Sequence, residues 1–462
     1  MATSTYYEPP TVMTALPDIE ITSDVLTKYI KMHKAEVERY QMLRDMYIGN
    51  HPIVKQDSKD ASKPDARIVV NFAKYIVDTF NGYFMGKSVT VSHDDETISG
   101  LVNDFLKRND QDDNNSELSK LVRIYGRAYE FLWQDEDAIT HVTYNSPLDM
   151  FMVYDNSIAQ RPLFAVRYYV VNDEDDPDNG KERGEVYTAE KVINFHAGDG
   201  GYQFLDETPV YYGRVPVIEY INNDERQGIF EPVISMINAY DSALSEKDND
   251  VAYFADAYLA VLGIKLDKDG IKKIRDNRVI NLFGTEDPEA IKNIVVKYLD
   301  KPNADGTQEH LLDRLEKLIY QMAMVTNLSS EDLGNASGVG LEFKLEEMEN
   351  LALTAERKMR SGFNQRFKMW FSLPTNVPAT QRDEWFNLKY AFHRNIPHDT
   401  LSEVQKAQAA AGLLPLEDRI AMISGIDDPK ATAAKMQEES GGELTDDFSR
   451  TAGEVDGTSE DE

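Results

Sequence analysis

Apolar side chains recur every three or four positions along several long stretches of the chain, which is the spacing of one helix face. The first stretch starts at Ser23 or Asp24, either of which can cap a helix, and ends near Gly49, a residue typical of C-terminal caps. A second helix is predicted over residues 72–84. Residues 1–24 contain three prolines and little periodicity, so they are expected to form a flexible arm.

From residue 87 to residue 220 the spacing of apolar residues is typical of helices in some segments and of strands in others. Helices are predicted over residues 98–108 and 117–127, and runs rich in aromatic and β-branched residues predict strands. The predicted strands cover residues 89–91, 128–133, 163–171, 184–187, 192–196 and 217–220. An acidic, turn-forming segment separates two of them. This part of the chain is therefore predicted to be an α+β domain.

Two long helices are predicted on either side of a small module. The first covers residues 231–257, with Val233, Ile237, Tyr240 and Leu244 at helical spacing, and would be roughly 40 Å long. The module, up to residue 300, has strand-like segments at 259–266, 279–282 and 295–298 and a helix-like segment at 269–276. The second helix begins near Gly306, and its predicted apolar face consists of Leu311, Leu315, Leu318, Met322 and Val325, with Leu312 and Ile319 alongside.

A polar, glycine-rich segment over residues 327–339 predicts a loop. A third helix is predicted from Gly340 to Phe371, with Gly362 as the site of a bend. Its apolar stripe consists of Leu341, Leu345, Met348, Ala352, Ala355, Met359, Phe363 and Phe367. Short helices are predicted over residues 402–436. The last residues, 438–462, contain ten acidic side chains and one arginine, so they are expected to be disordered.

The composition excludes several classes of protein for this chain. The net charge of −32 opposes wrapping of DNA by a basic surface, and it fits either simple solubility or a surface that faces DNA without binding it. The absence of cysteine excludes disulfides and thiolate chemistry and fits a reducing compartment. No apolar run reaches the roughly 18 to 20 residues that span a bilayer, and no secretory signal is expected at the N-terminus.

Motifs for catalysis or cofactors are weak. Residues 82–88 (GYFMGKS) approach a phosphate-binding loop, but they have one residue too few and bulky side chains where small ones are needed. The eight histidines form no metal-binding spacing, so structural roles are expected. Glu342 and Lys344 match half of a metal-dependent nuclease motif, but on a predicted helix instead of a strand. We therefore predict no cofactor, no metal and no enzymatic activity.

The order of these elements resembles the portal proteins of tailed phages, in particular the SPP1-like portal family. The resemblance extends over about residues 25–437, and it is carried by segments 47–53 (YIGNHPI), 71–79 (NFAKYIVDT), 83–89 (YFMGKSV), 216–223 (PVIEYINN), 230–234 (FEPVI), 239–245 (AYDSALS), 254–259 (FADAYL), 412–414 (GLL) and 426–429 (IDDP). Their order together with the helix–module–helix arrangement carries the resemblance.

The resemblance implies an α+β, predominantly helical fold with wing, stem, clip and crown regions. By it the wing covers residues 25–228 and 329–395, and the latter segment includes a tunnel loop and a tunnel helix. The two stem helices would cover residues 229–256 and 306–328, the clip 257–305 and the crown 396–437.

The resemblance also implies a function and partners. Family members form a ring of about twelve copies at one capsid vertex. Double-stranded DNA passes through the axial channel, driven by the terminase large subunit, and head–tail connectors dock below it. Major capsid and scaffold proteins are further partners, and the protein would lie in the virion after assembly in the host cytoplasm. Two alternatives stay open at this point: a metal-dependent DNA-processing nuclease, and an acidic minor capsid or scaffold protein without a channel.

Three sets of site residues follow as hypotheses. The tunnel loop would face DNA, through Ser329, Ser330, Glu331, Asp332, Gly334, Asn335, Ser337, Gly338 and Gly340. Acidic stem residues, Glu246, Asp248 and Asp250, would line the channel wall and keep DNA from adhering. Clip cations, Lys272, Lys273 and Arg275, would face terminase or an adaptor, or else simply belong to an exposed amphipathic helix.

Overall fold

A computed structural model of the chain describes residues 12–59, 64–172, 180–255, 259–262, 295–298, 305–329, 338–395, 400–423, 426 and 428–439. The chain divides into two compact units. The first consists of residues 1–330 and 345–393, and the second of residues 331–344 and 394–462.

The described α-helices are α1 (Ser23–Ile48), α2 (Phe72–Met85), α3 (Glu96–Arg108), α4 (Gln111–Tyr125), α5 (Ile234–Ala255), α6 (Asp305–Ala323), α7 (Gly338–Trp370), α8 (Thr400–Ala409), α9 (Leu416–Ala421) and α10 (Pro429–Glu439). Short 3-10 turns occur at Pro52–Lys55, Glu231–Val233, Ala379–Gln381 and Glu384–Asn387. Helices and sheets together confirm the predicted α+β class.

The strands are β1 (Met13–Ala15), β2 (Thr90–Ser92), β3 (Arg127–Gln134), β4 (Thr140–Asn145), β5 (Met150–Asp155), β6 (Pro162–Val170), β7 (Glu182–Tyr187), β8 (Lys191–Gly198), β9 (Gly201–Pro209), β10 (Val217–Ile221), β11 (Leu259–Leu262), β12 (Val295–Tyr298) and β13 (Lys389–Ala391). A six-stranded sheet has the order β1-β5-β6-β7-β8-β9, and a three-stranded sheet the order β10-β3-β4. The two remaining pairs are β11 with β12 and β13 with β2.

The N-terminal segment differs from its prediction where the structure describes it. Strand β1 pairs in parallel with β5, Met13 opposite Val153, and the Met13 side chain is buried. This part of residues 1–24 is therefore anchored in the six-stranded sheet and is not a loose arm. The cap of α1 is Thr22, whose hydroxyl accepts a hydrogen bond from the Val25 amide at 3.3 Å. Gly49 ends α1 with φ +85°, as predicted.

Other helices and strands have bounds that differ from their predictions. Helix α4 begins at Gln111 instead of residue 117, because the acidic and amide residues after Asn109 favour a first helical turn. Strands β4, β5 and β9 were not predicted: β9 is mostly exposed and polar, so its composition is that of a loop. Helix α10 extends to Glu439, two residues into the predicted acidic tail, whose remainder lies outside the described residues.

Helix α7 buries the apolar stripe that the sequence predicts. Every predicted member from Leu345 to Phe367 is buried, whereas the side chain of Leu341 lies outside the described residues. Gly362 has a packing role in this stripe, because a Cβ atom there would lie 2.1 Å from Cε1 of Tyr220. The absence of a side chain at Gly362 thus lets α7 approach strand β10.

A buried ion pair joins this helix to the three-stranded sheet. Arg366 donates from Nε to Glu130 Oε1 at 2.8 Å and from Nη2 to Asn115 Oδ1 at 2.7 Å, and its Nη2 also contacts the other carboxylate oxygen of Glu130. The Tyr220 hydroxyl donates to the same carboxylate at 3.3 Å. All four side chains are buried, so one arginine holds α7, α4, β3 and β10 together.

One buried histidine of this unit, His33, joins α1 to neighbouring segments. His33 is buried between the Tyr168 hydroxyl and the Pro147 carbonyl, each 2.8 Å from a ring nitrogen. Burial lowers the pKa of His33 to about 4, so its ring is neutral at neutral pH. Within the described residues, no group of three or more His, Asp or Glu side chains is arranged to hold a metal ion.

The second unit contains α8, α9 and α10 among its described residues. Pro415 directly precedes α9, and α9 packs against α10. Asp428 caps α10, where its carboxylate accepts a hydrogen bond from the Ala431 amide at 2.8 Å.

Candidate functional site

The two long helices that bracket the predicted module are α5 and α6. Helix α5 is preceded by a 3-10 turn, Glu231–Val233, whose Pro232 suits a helix start. The Glu231 carboxylate accepts hydrogen bonds from Arg39 Nε at 2.8 Å and from the Gly228 amide at 2.8 Å. Burial raises the pKa of Glu231 while Arg39 opposes that rise. These contacts fix the start of α5 against α1.

The buried stripe of α5 is polar beyond Ile237. Asp241, Ser245 and Asn249 are buried at intervals of four residues and face the extended segment 64–70, which we call the strap. An extended chain advances about 6.6 Å in two residues, close to the roughly 6 Å that a helix advances in four. Alternate strap amides therefore meet successive turns of α5.

Each of these three side chains accepts one strap amide. The Ala66 amide donates to Asn249 Oδ1 at 2.6 Å, the Ile68 amide to Ser245 Oγ at 2.9 Å, and the Val70 amide to Asp241 Oδ1 at 2.9 Å. The other Asp241 oxygen lies 2.5 Å from Nδ1 of the buried His51. These contacts were not predicted from the sequence, although short polar residues four positions apart on α5 are a signal that could have indicated them.

The predicted acidic wall residues do not share one face of α5. Glu246 and Asp250 are four positions apart and lie on the same flank, whereas Asp248 is turned about 160° away from Glu246. Glu246 is exposed and accepts a hydrogen bond from Lys59 Nζ at 2.7 Å. Asp248 is exposed and Asp250 half-buried. The hypothesis of a single acidic wall is thus reduced to Glu246 and Asp250.

An aromatic cluster joins α5, α6 and α2. The ring of Phe72 packs edge-on against Tyr240 and Tyr320, with centroid distances of 5.0 and 5.7 Å, and Tyr75 packs on Tyr320 at 5.6 Å. Burial raises the pKa of both tyrosines, Tyr240 and Tyr320, so their hydroxyls stay neutral. An ion pair between Lys247 and Glu309 connects the two helices further along.

The face that α6 buries differs from the predicted one. Leu312, Ile319 and Ala323 are buried, whereas Leu311 and Met322 remain 50% and 48% exposed. Apolar residues surround more than half of this helix, so periodicity alone did not distinguish the two faces. The aromatic cluster with α2 decides between them. An apolar flank of Leu311, Leu315, Leu318 and Met322 is left uncovered or partly covered in one chain.

Helix α6 ends at Ala323, five residues before the predicted end. Met324 adopts φ +55°, and the Val325 amide donates to the Tyr320 carbonyl at 3.2 Å, a Schellman-type end. A methionine in this conformation gives no sequence signal, because glycine is the usual residue there. The chain then continues to Leu328, whose amide donates to the Tyr75 hydroxyl at 2.9 Å.

The predicted DNA-facing loop is described only at its ends. Ser329 donates its amide to Asn327 Oδ1 at 3.0 Å. Gly338 and Gly340, which were predicted as members of this loop, lie in the first turn of α7. The remaining loop residues, Ser330, Glu331, Asp332, Gly334, Asn335 and Ser337, lie outside the described residues.

The module between α5 and α6 is described at its two ends. Strands β11 and β12 pair antiparallel, with Leu259 opposite Tyr298 and Leu262 opposite Val295, which confirms the predicted strand character of both segments. The predicted helix and strand between them lie outside the described residues, and so do Lys272, Lys273 and Arg275.

The two weak catalytic motifs do not lie in the secondary structure that each of them requires. Gly82 belongs to α2, so residues 82–88 do not form the loop that a phosphate site needs. Glu342 and Lys344 lie on α7, where the nuclease motif would require a strand. Among the described helices, none is both long and apolar enough to cross a membrane.

The pairing of β11 with β12 between two long helices fits the helix–module–helix order on which the resemblance to portal proteins rests. A family model described as "Phage portal protein, SPP1 Gp6-like" matches residues 26–445. The match covers most of the chain, and the chain belongs to this family of portal proteins.

Two relatives illustrate the likeness. The portal protein of Bacillus phage SPP1 is 24% identical over 455 residues, which cover 94% of this chain and 87% of the relative. The portal protein of Clostridium phage phiCD119 is 22% identical over 386 residues, 79% of this chain and 82% of the relative. The similarity thus extends over nearly the whole chain and is not confined to one motif.

Proposed function

We propose that the chain is the subunit of a closed ring at one capsid vertex, with an axial channel through which DNA enters and leaves the phage head. The observation that carries this proposal is the family match over residues 26–445. The terminase large subunit would drive the DNA, while head–tail connectors would dock on the ring. Major capsid and scaffold proteins would surround it, and the mature virion would be its final location.

We further propose that α5 and α6 are the stem helices and that residues 257–305 form the clip. Residues 25–228 and 329–395 would be the wing and residues 396–437 the crown. The pairing of β11 with β12 supports the clip assignment, because it closes the inserted module at its base between the two helices. Lys272, Lys273 and Arg275 would then face terminase or an adaptor.

The uncovered flank of α6 supports an assembly of copies. Leu311 and Met322 are large apolar side chains about half exposed on one helix, and Val251 of the neighbouring α5 is 59% exposed. Exposed apolar surface of this kind marks an interaction site, and contact with a neighbouring copy would bury it.

Native mass spectrometry tests the ring directly. The chain is expected to form a particle of roughly 630 kDa, about twelve times the 52.5 kDa of one copy. Leu311→Asp combined with Met322→Asp should leave folded monomers, because charged side chains would have to be buried between copies. Ile158→Asp, at a fully exposed turn, is the matched control and should still form rings.

Monomers or dimers of the unaltered chain at micromolar concentration would contradict the proposal. Cleavage of DNA by the pure protein, dependent on a divalent metal, would instead favour the nuclease alternative. A large closed particle without an axial opening in electron micrographs would favour the scaffold alternative.

We propose that two elements meet the DNA: the loop from Ser329 to Ser337 and the acidic flank of α5, which consists of Glu246 and Asp250. The flank would repel phosphates over roughly one Debye length, about 8 Å at physiological salt, although the pairing of Glu246 with Lys59 at 2.7 Å reduces its share of that repulsion. DNA could then move along the wall without adhering to it. The anchoring of Leu328 by Tyr75 supports a fixed loop base from which the loop extends.

Charge reversal tests the acidic flank. Glu246→Lys with Asp250→Lys should leave ring formation intact but slow DNA packaging about threefold or more, with a larger effect at low salt, because phosphates would now be attracted to the wall. Glu136→Lys with Asp137→Lys, on the exposed β3–β4 turn, is the control that also reverses two charges. Rings of the double variant that package DNA at the unaltered rate would refute the assignment.

A further inference from the structure

An open groove lies between the C-terminal half of α7 and residues 384–390, within the first unit. Its volume is about 600 Å³. Ser361, Asn364 and Gln365 line it from the helix, and Trp385, Phe386 and Tyr390 line it from the opposite segment. The groove therefore combines hydrogen-bonding side chains on one wall with aromatic rings on the other.

The charge of this groove is opposite to that of the chain as a whole. Residues 357–370 of α7 contain five basic side chains and no acidic one, whereas residues 338–356 contain five acidic side chains and one lysine. The lining includes Arg360, Lys368 and Lys389 and no carboxylate. In a protein of net charge −32, such a local basic site is a specific feature.

The aromatic wall is accessible. Phe386 is 78% exposed, and its ring meets Trp385 edge-on at 5.8 Å. Lys368 Nζ lies 5.3 Å from the centre of the Trp385 ring, which presents that charge beside an apolar surface. An aromatic residue this exposed, next to cations, is typical of a surface that anchors a partner side chain.

We propose that the groove binds a short acidic peptide segment with one aromatic or large aliphatic side chain, supplied by a separate protein. Carboxylates of the peptide would pair with Arg360, Lys368 and Lys389, and its apolar side chain would pack on Phe386. Only the source of the peptide rests on the proposed function, because a subunit at a capsid vertex is surrounded by other proteins.

The observations favour a peptide over nucleic acid. Arg360 already pairs with Glu356 at 2.6 Å, and Lys389 with Asp94 at 2.6 Å. Among the residues that the structure describes, three cations face the groove, and two of them are partly neutralised. This is fewer than the roughly six to ten phosphate contacts of DNA-binding proteins. The amide side chains of Asn364 and Gln365 suit the carbonyls and amides of a peptide backbone.

Fluorescence anisotropy with the full chain tests this proposal. The probe is a labelled synthetic nonapeptide with one central phenylalanine among aspartates and glutamates. Arg360→Glu with Lys368→Glu should weaken binding at least about tenfold, and Phe386→Ser about threefold or more. Lys31→Glu, an exposed lysine of α1, reverses the same charge away from the groove and should leave binding unchanged. Circular dichroism verifies that each variant is folded.

Three outcomes would overturn the proposal. One is equal loss of binding in Lys31→Glu, which would indicate non-specific attraction. Another is tighter binding of a twelve-base-pair DNA duplex with the same dependence on Arg360 and Lys368. The third is peptide binding that appears only after truncation at Glu439, which would assign the groove to the chain's own acidic end. Mass spectrometry of the same samples reports ring formation separately, so failure here is distinguishable from failure of the proposed function.

Discussion

Replacement of Arg366 by methionine is expected to lower the free energy of unfolding by about 3–5 kcal/mol. The change leaves the Glu130 carboxylate buried with only the Tyr220 hydroxyl as a partner, and it removes the hydrogen bond to Asn115. Burial alone would lower the pKa of the Arg366 guanidinium, but the Glu130 carboxylate raises this pKa above its ordinary value. The guanidinium therefore stays charged. Urea denaturation at fixed protein concentration measures the loss.

Two controls isolate the buried pair. Arg357→Met removes an exposed arginine from the same helix and should change the free energy of unfolding by less than about 0.5 kcal/mol. The double variant Arg366→Met with Glu130→Leu should recover much of the loss, because no unpaired charge then remains buried. Equal destabilisation by the single and double variants would mean that lost packing, not the stranded carboxylate, sets the effect.

Replacement of Asp241 by alanine is expected to lower the free energy of unfolding by about 2–5 kcal/mol, since one buried and one half-buried donor lose their acceptor. Those donors are His51 Nδ1 and the Val70 amide. The strap, residues 64–70, should also detach from α5, and hydrogen exchange at the Ala66, Ile68 and Val70 amides should accelerate. Mass spectrometry of exchanged peptides measures this change.

The matched control is Ser242→Ala, the exposed neighbour on α5, which should cost less than about 0.5 kcal/mol and leave strap protection unchanged. Asp241→Asn keeps the acceptor for the Val70 amide and should retain part of the protection. If exchange in the strap stays slow in Asp241→Ala, then Ser245 and Asn249 alone hold it, and the polar stripe is not a cooperative unit.

The strap matters for the proposed function because it ties a proposed stem helix to the rest of the first unit. Its three amide contacts are spaced along α5 from Asp241 to Asn249, and the aromatic cluster of Phe72 and Tyr75 follows directly after it. The strap therefore connects α5 to the start of α2 through three hydrogen bonds from main-chain amides to side chains of α5.

The sequence predicted which segments form helices more accurately than it predicted which side of each helix is buried. Periodicity identified α1, α2, α6 and α7, because burial of one face demands an apolar residue at nearly every turn. Helix α5 was also predicted, but of its predicted apolar face only Val233 and Ile237 are buried. Every residue predicted for the apolar stripe of α7, from Leu345 to Phe367, is buried. On α6 the same reasoning chose Leu311 and Met322, which are exposed, because that helix is apolar on more than one side.

The candidate site was only partly accessible from sequence. The order helix, module, helix and polar loop followed from the pattern of residues, and its resemblance to portal proteins was confirmed by the family match. The strap could not be predicted, because polar residues at every fourth position of a helix normally indicate a solvated face. Only a contact between residues about 180 positions apart in the chain reveals that Asp241, Ser245 and Asn249 are buried.

What the sequence determined by itself is therefore the set of long helices, the α+β class, the acidic balance and the family. These depend on local spacing and composition, which every segment carries within itself. The tertiary structure alone decided which face of α6 is buried, that Gly362 admits Tyr220, and that a basic groove forms beside α7. Each of these depends on a neighbour distant in sequence, and no local pattern specifies which surface that neighbour will cover.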